Sequence, residues 1–430
     1  MSSSSRGTQS EMLALAESCL AGGTFGVNVP EHLRAVMVRG RGSRIHDANG
    51  KEYIDYLLGS GPLLVGHAHP EVVEAVQRQA ALASTFYMLN EPAIQLARKI
   101  VDAAPCGGLL RYQLSGTDAT FSALRIARGA TGRNRVIKFE GAFHGSHDVA
   151  QVSFEVRPRE RPTAAIRDTL GIPERLVDEV LVAHFNDLPS VAALVEAHGD
   201  EIAAIIVEPL QRVLVPRPGF LEGLRALASK HGIVLIFDEV VTGFRIAWGG
   251  AQELYGVTPD LACYSKTIGG GYPVSAVVGR RDLMDLTTPR RDNSPYCYVA
   301  GTLSGNPVAA AAGLAALNVL ERPGVYERLR YMGNTLRREI EAAGSRAGLP
   351  VRALGEGPIL QVVFSERQEF HTSEHLTQID HARTLKFGHE MISRGIYFTP
   401  KGKMYISLAH TDADLDQTLE TVAQVLRTLG

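Results

Sequence analysis

The stretch that most constrains this chain covers residues 233–271, where two apolar runs each end abruptly in polar residues. The first reads Ile233-Val-Leu-Ile-Phe-Asp238-Glu239-Val240. The second, after Pro259-Asp260, reads Leu261-Ala-Cys-Tyr-Ser265-Lys266-Thr-Ile-Gly-Gly-Gly271. A short, unbroken apolar run of this kind is how a strand buried on both faces of a parallel sheet reads, and its polar end marks the sheet's carboxyl edge. Two such strands carry an acid, Asp238, and an amine, Lys266, to one rim, where open α/β sheets bind their ligands.

An acid and an amine at one rim are what pyridoxal phosphate requires: an amine to attach to its aldehyde, and a carboxylate to keep its pyridine nitrogen protonated. Taken singly, Asp238 also reads as an ordinary strand-end acid and Lys266 as a solvated amine. The glycine turn directly behind the lysine favours the pair. It also excludes a nucleotide-binding P-loop, in which the glycines precede Lys-Ser/Thr, whereas here Ser-Lys-Thr comes first.

Along the chain, residues 11–20 suit a short helix, and residues 36–56 alternate around Asn49-Gly50 as a hairpin does. From Pro70 helical periodicity alternates with buried strands. Strands are expected over 109–114, 135–139, 202–207, the central pair and 274–279; helices are expected over 70–83, 117–130 and 220–231. That order predicts an α/β fold with a mainly parallel sheet flanked by helices. Helices over 308–320 and 326–348 follow, then a smaller α+β unit with strands over 359–364 and 404–409 and helices over 374–394 and 412–429. The expected domains are a segment 1–69 packing on the small domain, a large cofactor domain 70–320 and a small domain 321–430.

Several further stretches stand out along the chain. They are Asp47-Ala-Asn-Gly-Lys-Glu-Tyr-Ile-Asp-Tyr56, Gly66-His-Ala-His-Pro70, Ser115-Gly-Thr-Asp-Ala119, Lys138-Phe-Glu-Gly-Ala-Phe-His-Gly145 and Val207-Glu-Pro209. Further on come Asp238-Glu-Val240, Gly243-Phe-Arg245, Ser265-Lys266 and Gly301-Thr-Leu-Ser-Gly-Asn-Pro307. Together these stretches resemble the class III, fold type I aminotransferases, most closely their glutamate-1-semialdehyde aminomutase branch, and the resemblance runs from about Gly40 to the C-terminus. It implies the fold type I architecture, pyridoxal 5′-phosphate as cofactor, Lys266 as the cofactor lysine and Asp238 as partner of the ring nitrogen.

Ser115-Gly116-Thr117 reads either as a plain Ser/Thr helix cap or as an anion site built from backbone N–H groups and a helix dipole. The resemblance implies that Gly116 and Thr117 hold the cofactor phosphate; Asp118 stands where the family usually has Glu. Phe143 is either a core aromatic or a face stacked on the pyridine ring. Family members commonly have Tyr there, so a hydroxyl is lost. His144 is a neighbouring donor or a satisfied rim histidine. Val240, on the same side of its strand as Asp238, would meet the ring face opposite Phe143. Val241 replaces the glutamine that relatives place near the ring hydroxyl. Glu208 is a substrate-side acid or a structural one, and Arg212 suits a substrate carboxylate or an exposed loop. The resemblance implies that Thr302 reaches the cofactor of a neighbouring subunit in a homodimer.

A net charge of −2 gives no basic field for nucleic acid. Cys19, Cys106, Cys263 and Cys297 lack metal spacing, and no site for a metal is expected. The polar start and the short, Ala-rich longest apolar run predict a soluble, cytoplasmic protein with no membrane role. Intermolecular amino transfer in ping-pong order is the expected reaction. The alternative is an intramolecular 2,1-amine shift of the aminomutase kind. Against it stand two departures: residues 25–34 lack the aminomutase Ser-Pro-Val-Arg type segment, and Leu210-Gln211-Arg212-Val213-Leu214 replaces a longer Gly/Asn stretch after Val207-Glu-Pro209. A non-catalytic scaffold on the same fold is a third reading, disfavoured by the complete acid, amine and phosphate-turn set.

Overall fold

The computed structural model describes residues 7–25, 30–157, 165–292 and 294–429. The segment expected at 25–34 therefore lies partly outside the described residues. The central sheet has seven strands: β1 (Leu109–Gln113), β2 (Arg135–Phe139), β3 (Val180–Ala183), β4 (Ile202–Val207), β5 (Val234–Asp238), β6 (Leu261–Tyr264) and β7 (Ser275–Gly279). Their spatial order is β1-β7-β6-β5-β4-β2-β3; β7 runs antiparallel to both neighbours, and the other pairs are parallel. The strand β3 has no counterpart in the sequence reading. It is four residues long and forms an edge, too short for a periodic signal.

β4, β5 and β6 are buried along their whole length. Side chains alternate between the two faces, as the period of two demands. Ala204, Ile206, Val234 and Ile236 pack with the helix Gly116–Thr131, while Ile205, Val207, Leu235 and Phe237 pack with the helix Phe220–His231. Each fully buried Val or Ile side chain contributes about 1.5–3 kcal/mol, so this double-sided sheet is the rigid base on which the rim residues stand. Because the sheet is mostly parallel, residues 115, 143, 208, 238 and 266 all lie at or just beyond carboxyl ends of strands.

The helix Pro307–Leu320 is apolar on nearly every side, begins at the Asn306 cap with Pro307 in its first turn, and packs on Pro70–Leu82 and Glu91–Ala103. It also braces the turn Lys266–Gly269. A β-carbon on Gly313 would lie 2.2 Å from the Ile268 carbonyl oxygen. Gly313→Ala is therefore expected to overpack this seam, costing about 1–3 kcal/mol of stability. A urea or thermal unfolding series checks it; unchanged stability would mean that the helix is free to retreat from the turn.

The terminal segments complete the architecture. Met37–Arg41, Arg44–Asp47 and Glu52–Asp55 form an antiparallel sheet that Ile396–Tyr397 joins in parallel to Glu52–Asp55. Val351–Glu356, Ile359–Phe364 and Lys403–Tyr405 form a second antiparallel sheet. The single helix expected over 374–394 is broken. A 3₁₀ turn at Ser373–Thr377 ends before Asp380, whose side chain caps a separate helix, His381–Ser393, by accepting from Arg383 N–H. The strand expected over 404–409 pairs only at Lys403–Tyr405. The four cysteines are free. Among the described residues no helix is long and apolar enough to cross a membrane.

Candidate active site

A cavity of about 580 Å³ lies at the carboxyl edge of β1, β2, β4, β5 and β6. Ser115, Gly116, Thr117, Phe143, His144, Glu208, Arg212, Asp238, Val240 and Lys266 all line it. Of the residues singled out from sequence, only Thr302 lies elsewhere. It is exposed and lines a different cavity, together with Tyr87, Met88 and Leu89.

Asp238 ends β5 and is 4% exposed. Its Oδ1 accepts from Val240 N–H at 3.1 Å and its Oδ2 lies 2.7 Å from His144 Nδ1, an ion pair when the imidazole is protonated. The imidazole thus fixes the carboxylate's orientation. His144 Nε2, also buried, has no partner among the described residues.

Lys266 follows β6 at φ 46°, the left-handed region that residues with side chains seldom occupy. Such a conformation costs on the order of 1–3 kcal/mol and persists where surrounding structure enforces it, here the glycine turn and its bracing helix. Burial pulls the Lys266 ammonium below the ordinary lysine value, while Tyr405 and Asp238 pull it back up. The neutral amine is therefore populated at lower pH than in a solvated lysine.

Ser115 caps the helix Gly116–Thr131 in a capping box. Its Oγ donates to Asp118 Oδ2 at 2.8 Å and accepts from Asp118 N–H at 3.2 Å. The hydroxyl of Ser115 is thereby committed to the cap rather than free for a ligand. The N–H groups of Gly116 and Thr117 open the helix and precede any intrahelical acceptor. A β-carbon on Gly116 would lie 2.8 Å from Val240 Cγ1, so only glycine lets the helix start this close to the β5 rim.

Phe143 is 41% exposed, and the Arg212 guanidinium lies 5.1 Å from its ring centroid. Arg212, itself at φ 60°, donates from Nε to the Gly141 carbonyl at 3.2 Å. Its terminal nitrogens have no hydrogen-bond acceptor among the described residues. Glu208 Oε2 accepts from Phe143 N–H at 3.0 Å, so this acid holds the β2 loop in place. One of its two oxygens is thus engaged by the backbone.

Wall residues that were not legible in the sequence include Gly59, Ser60 and Pro62 from the N-terminal segment, Tyr272 beyond the glycine turn, and Thr399, Lys403 and Tyr405 from the C-terminal segment. The only trace is that Lys403 and Tyr405 stand two apart on a strand, facing one side.

These groups fit pyridoxal phosphate. A helix N-terminus suits its phosphate, a buried carboxylate its ring nitrogen, an amine its aldehyde, and Val240 and Phe143 offer apolar walls.

Comparison with known proteins agrees with this geometry. The family model "Aminotransferase class-III" matches residues 25–426. The glutamate-1-semialdehyde 2,1-aminomutase of Desulforudis audaxviator (strain MP104C) is 42% identical over 429 residues, covering 97% of each chain. A solved omega-transaminase from Sphaerobacter thermophilus superposes with a TM-score of 0.93 at 33% identity, covering 99% of this chain and 98% of that one. A solved transaminase with PLP bound gives 0.89 at 27% identity over 98% of this chain and 97% of its own. With its mainly parallel sheet in the fold type I arrangement, and a rim lysine and a helix start facing one cavity, the chain belongs to the class III aminotransferases.

Proposed function

We propose that the chain catalyses amino-group transfer on a small, carboxylate-bearing substrate with pyridoxal 5′-phosphate as its cofactor. The observation that carries this reading is the convergence of Lys266, Asp238 and the Gly116–Thr117 helix start on one cavity. When bound, the cofactor supplies an aldehyde that carries nitrogen and a ring that takes up the electrons of a broken C–H bond. Lys266 Nζ anchors the cofactor at rest. Once freed, Nζ accepts the proton from the substrate carbon and gives it back. Asp238, oriented by His144, holds a proton on the ring nitrogen. The N–H groups at Gly116 and Thr117 orient the phosphate, and Arg212 orients the substrate carboxylate.

The amino group can return to the neighbouring carbon of the same molecule or pass to a second carbonyl compound. The name of the curated relative supports the first, a glutamate-1-semialdehyde-type 2,1-shift, better than the intermolecular transfer expected from the sequence. The second keeps the support of the omega-transaminase likeness and of Leu210-Gln211-Arg212 after Val207-Glu-Pro209. Incubation with glutamate 1-semialdehyde alone separates them. Formation of the isomer with its amine on C1 and ketone on C2, without any acceptor, supports the shift; turnover only of amine plus keto acid supports transfer between molecules. Inactivity in both arms would overturn the reading.

In either route Arg212→Ala is expected to raise KM for the carboxylate substrate about 10–100-fold, the loss of a charge-assisted pair. A substrate analogue lacking the carboxylate should be affected little. Equal losses for both would remove Arg212 from this role.

The same reading includes a homodimer in a cytoplasmic setting. Thr302 stands among exposed apolar side chains, Tyr87, Met88, Leu89 and Leu303, a face suited to a second copy of this chain. Sedimentation at a dimer's mass supports it, and a monomeric active enzyme would free Thr302 from any role in a neighbouring site.

A further inference from the structure

Two tyrosines line the cavity, Tyr272 and Tyr405, and the proposed reaction uses neither; only Tyr405 is buried. Tyr405 enters from the strand Lys403–Tyr405 and is 4% exposed. Its position beside Lys266 is set at Gly61. A β-carbon built there would lie 3.2 Å from Arg245 Nη2, 3.4 Å from Tyr405 Cζ and 3.5 Å from Lys266 Cδ. The Gly61, Arg245–Lys266 and Tyr405 segments thus converge on one point, which the carbon that bears the Tyr405 hydroxyl and the aliphatic stem of the lysine both border.

The charged groups facing this phenol are all cations. Lys403 Nζ lies 5.4 Å from the ring centroid, and the Arg245 guanidinium carbon lies 5.1 Å from it. Arg245 is fully buried and cannot swing away: it donates to the Val241 carbonyl, to Thr267 Oγ1 and to the Gly61 carbonyl. Lys266 is the third cation when protonated, and Asp238 is the carboxylate that faces Lys266. Buried phenols ordinarily resist ionisation, and burial pushes those of Tyr56, Tyr112, Tyr264 and Tyr326 up. At Tyr405 burial acts in the same direction, yet Lys403, Lys266 and Arg245 outweigh it and bring the phenol below its ordinary value.

We propose that Tyr405 is the proton partner of Lys266, its hydroxyl exchanging one proton with the lysine amine whenever that amine is free. This rests on the reading of Lys266 as the cofactor-bearing amine. In the exchange the O–H bond of Tyr405 breaks and an N–H bond forms on Lys266 Nζ, or the reverse. Phenol plus amine become phenolate plus ammonium, with no electrons gained or lost and no further reactant. Lys403 offsets the phenolate charge, and Arg245 fixes the ring. Tyr405 is a positioning residue, since it acts through the lysine. The pair, rather than Lys266 alone, then sets how many protons the site holds near the working pH.

The test uses Tyr405→Phe and Lys403→Met, in apoprotein and in holoenzyme. In the apoprotein, the ultraviolet phenolate difference between wild type and Tyr405→Phe isolates this one residue. Its midpoint is expected below the ordinary tyrosine value of about 10, and Lys403→Met should move it up by about one pH unit. In the holoenzyme, Tyr405→Phe is expected to lower kcat about 10²-fold, to shift a limb of its pH profile and to leave KM and thermal stability nearly unchanged. A Tyr405 midpoint at or above 10, or a Tyr405→Phe enzyme with wild-type kcat and pH profile, overturns the proposal. Borohydride labelling at Lys266 of the wild-type holoenzyme is the separate arm. No label there refutes the cofactor reading, while the apoprotein titration still decides whether Tyr405 and the cations are coupled.

Discussion

Lys266→Ala should reduce amino transfer by at least about 10⁴-fold, because in the proposed mechanism one substitution removes both the nucleophile that anchors the cofactor and the base that moves the substrate proton. The loss should fall on kcat rather than on folding. Alanine's methyl group is a truncation of the lysine stem and adds no bulk, and the left-handed turn at φ 46° is held by its glycine neighbours and the bracing helix rather than by the amine. Thermal midpoints of wild-type and variant apoprotein are accordingly expected to agree within a few degrees. Reconstituted wild type should show a visible band that borohydride bleaches, and the variant should not. A variant that keeps activity within tenfold of wild type would show that the reacting amine lies elsewhere.

Asp238→Asn should cost about 10²–10⁴-fold in kcat with little change in the fold. The amide has the carboxylate's shape, so the Val240 N–H and His144 contacts can persist in altered polarity. What disappears is the negative charge that, in the proposed mechanism, holds a proton on the ring nitrogen. A second effect has a definite sign. Asp238 raises the affinity of Lys266 for its proton, so its neutralisation lowers the lysine further, and the pH at which the free amine becomes neutral shifts down. A pH titration of the amine's reactivity in the apoprotein reads that shift. Wild-type kcat in Asp238→Asn would place the ring-nitrogen partner on another residue.

Much of the site was legible because its signals are local. The unbroken apolar runs ending at Asp238 and Ser265-Lys266 announced buried parallel strands, and the rim residues follow directly from where each run stops. Ser115-Gly116-Thr117 was open between a Ser/Thr cap and an anion site, and the structure forms a capping box between Ser115 and Asp118; the sequence could not say whether the hydroxyl stays free, and it does not. Glu208 was open between two roles, and the Phe143 N–H it binds lies 65 residues away, beyond any local pattern. Short or interrupted elements were missed for a related reason. Four residues at Val180–Ala183 are too few to show a period, and Asp380 competes for backbone donors inside what otherwise reads as one helix.

By itself the amino-acid order determined the parallel sheet, the acid and the amine at its edge, and the helix start that opens beside them. Burial and capping act over a few consecutive residues, so these are written in consecutive residues. Only the tertiary structure decided that Arg212 lies across Phe143, that Gly313 clamps the lysine turn, and that Tyr405 and Lys403 close the cavity from the C-terminal segment. Those contacts join segments separated by tens to hundreds of residues. The packing free energy that selects them depends on shapes and charges that meet only once the chain has folded.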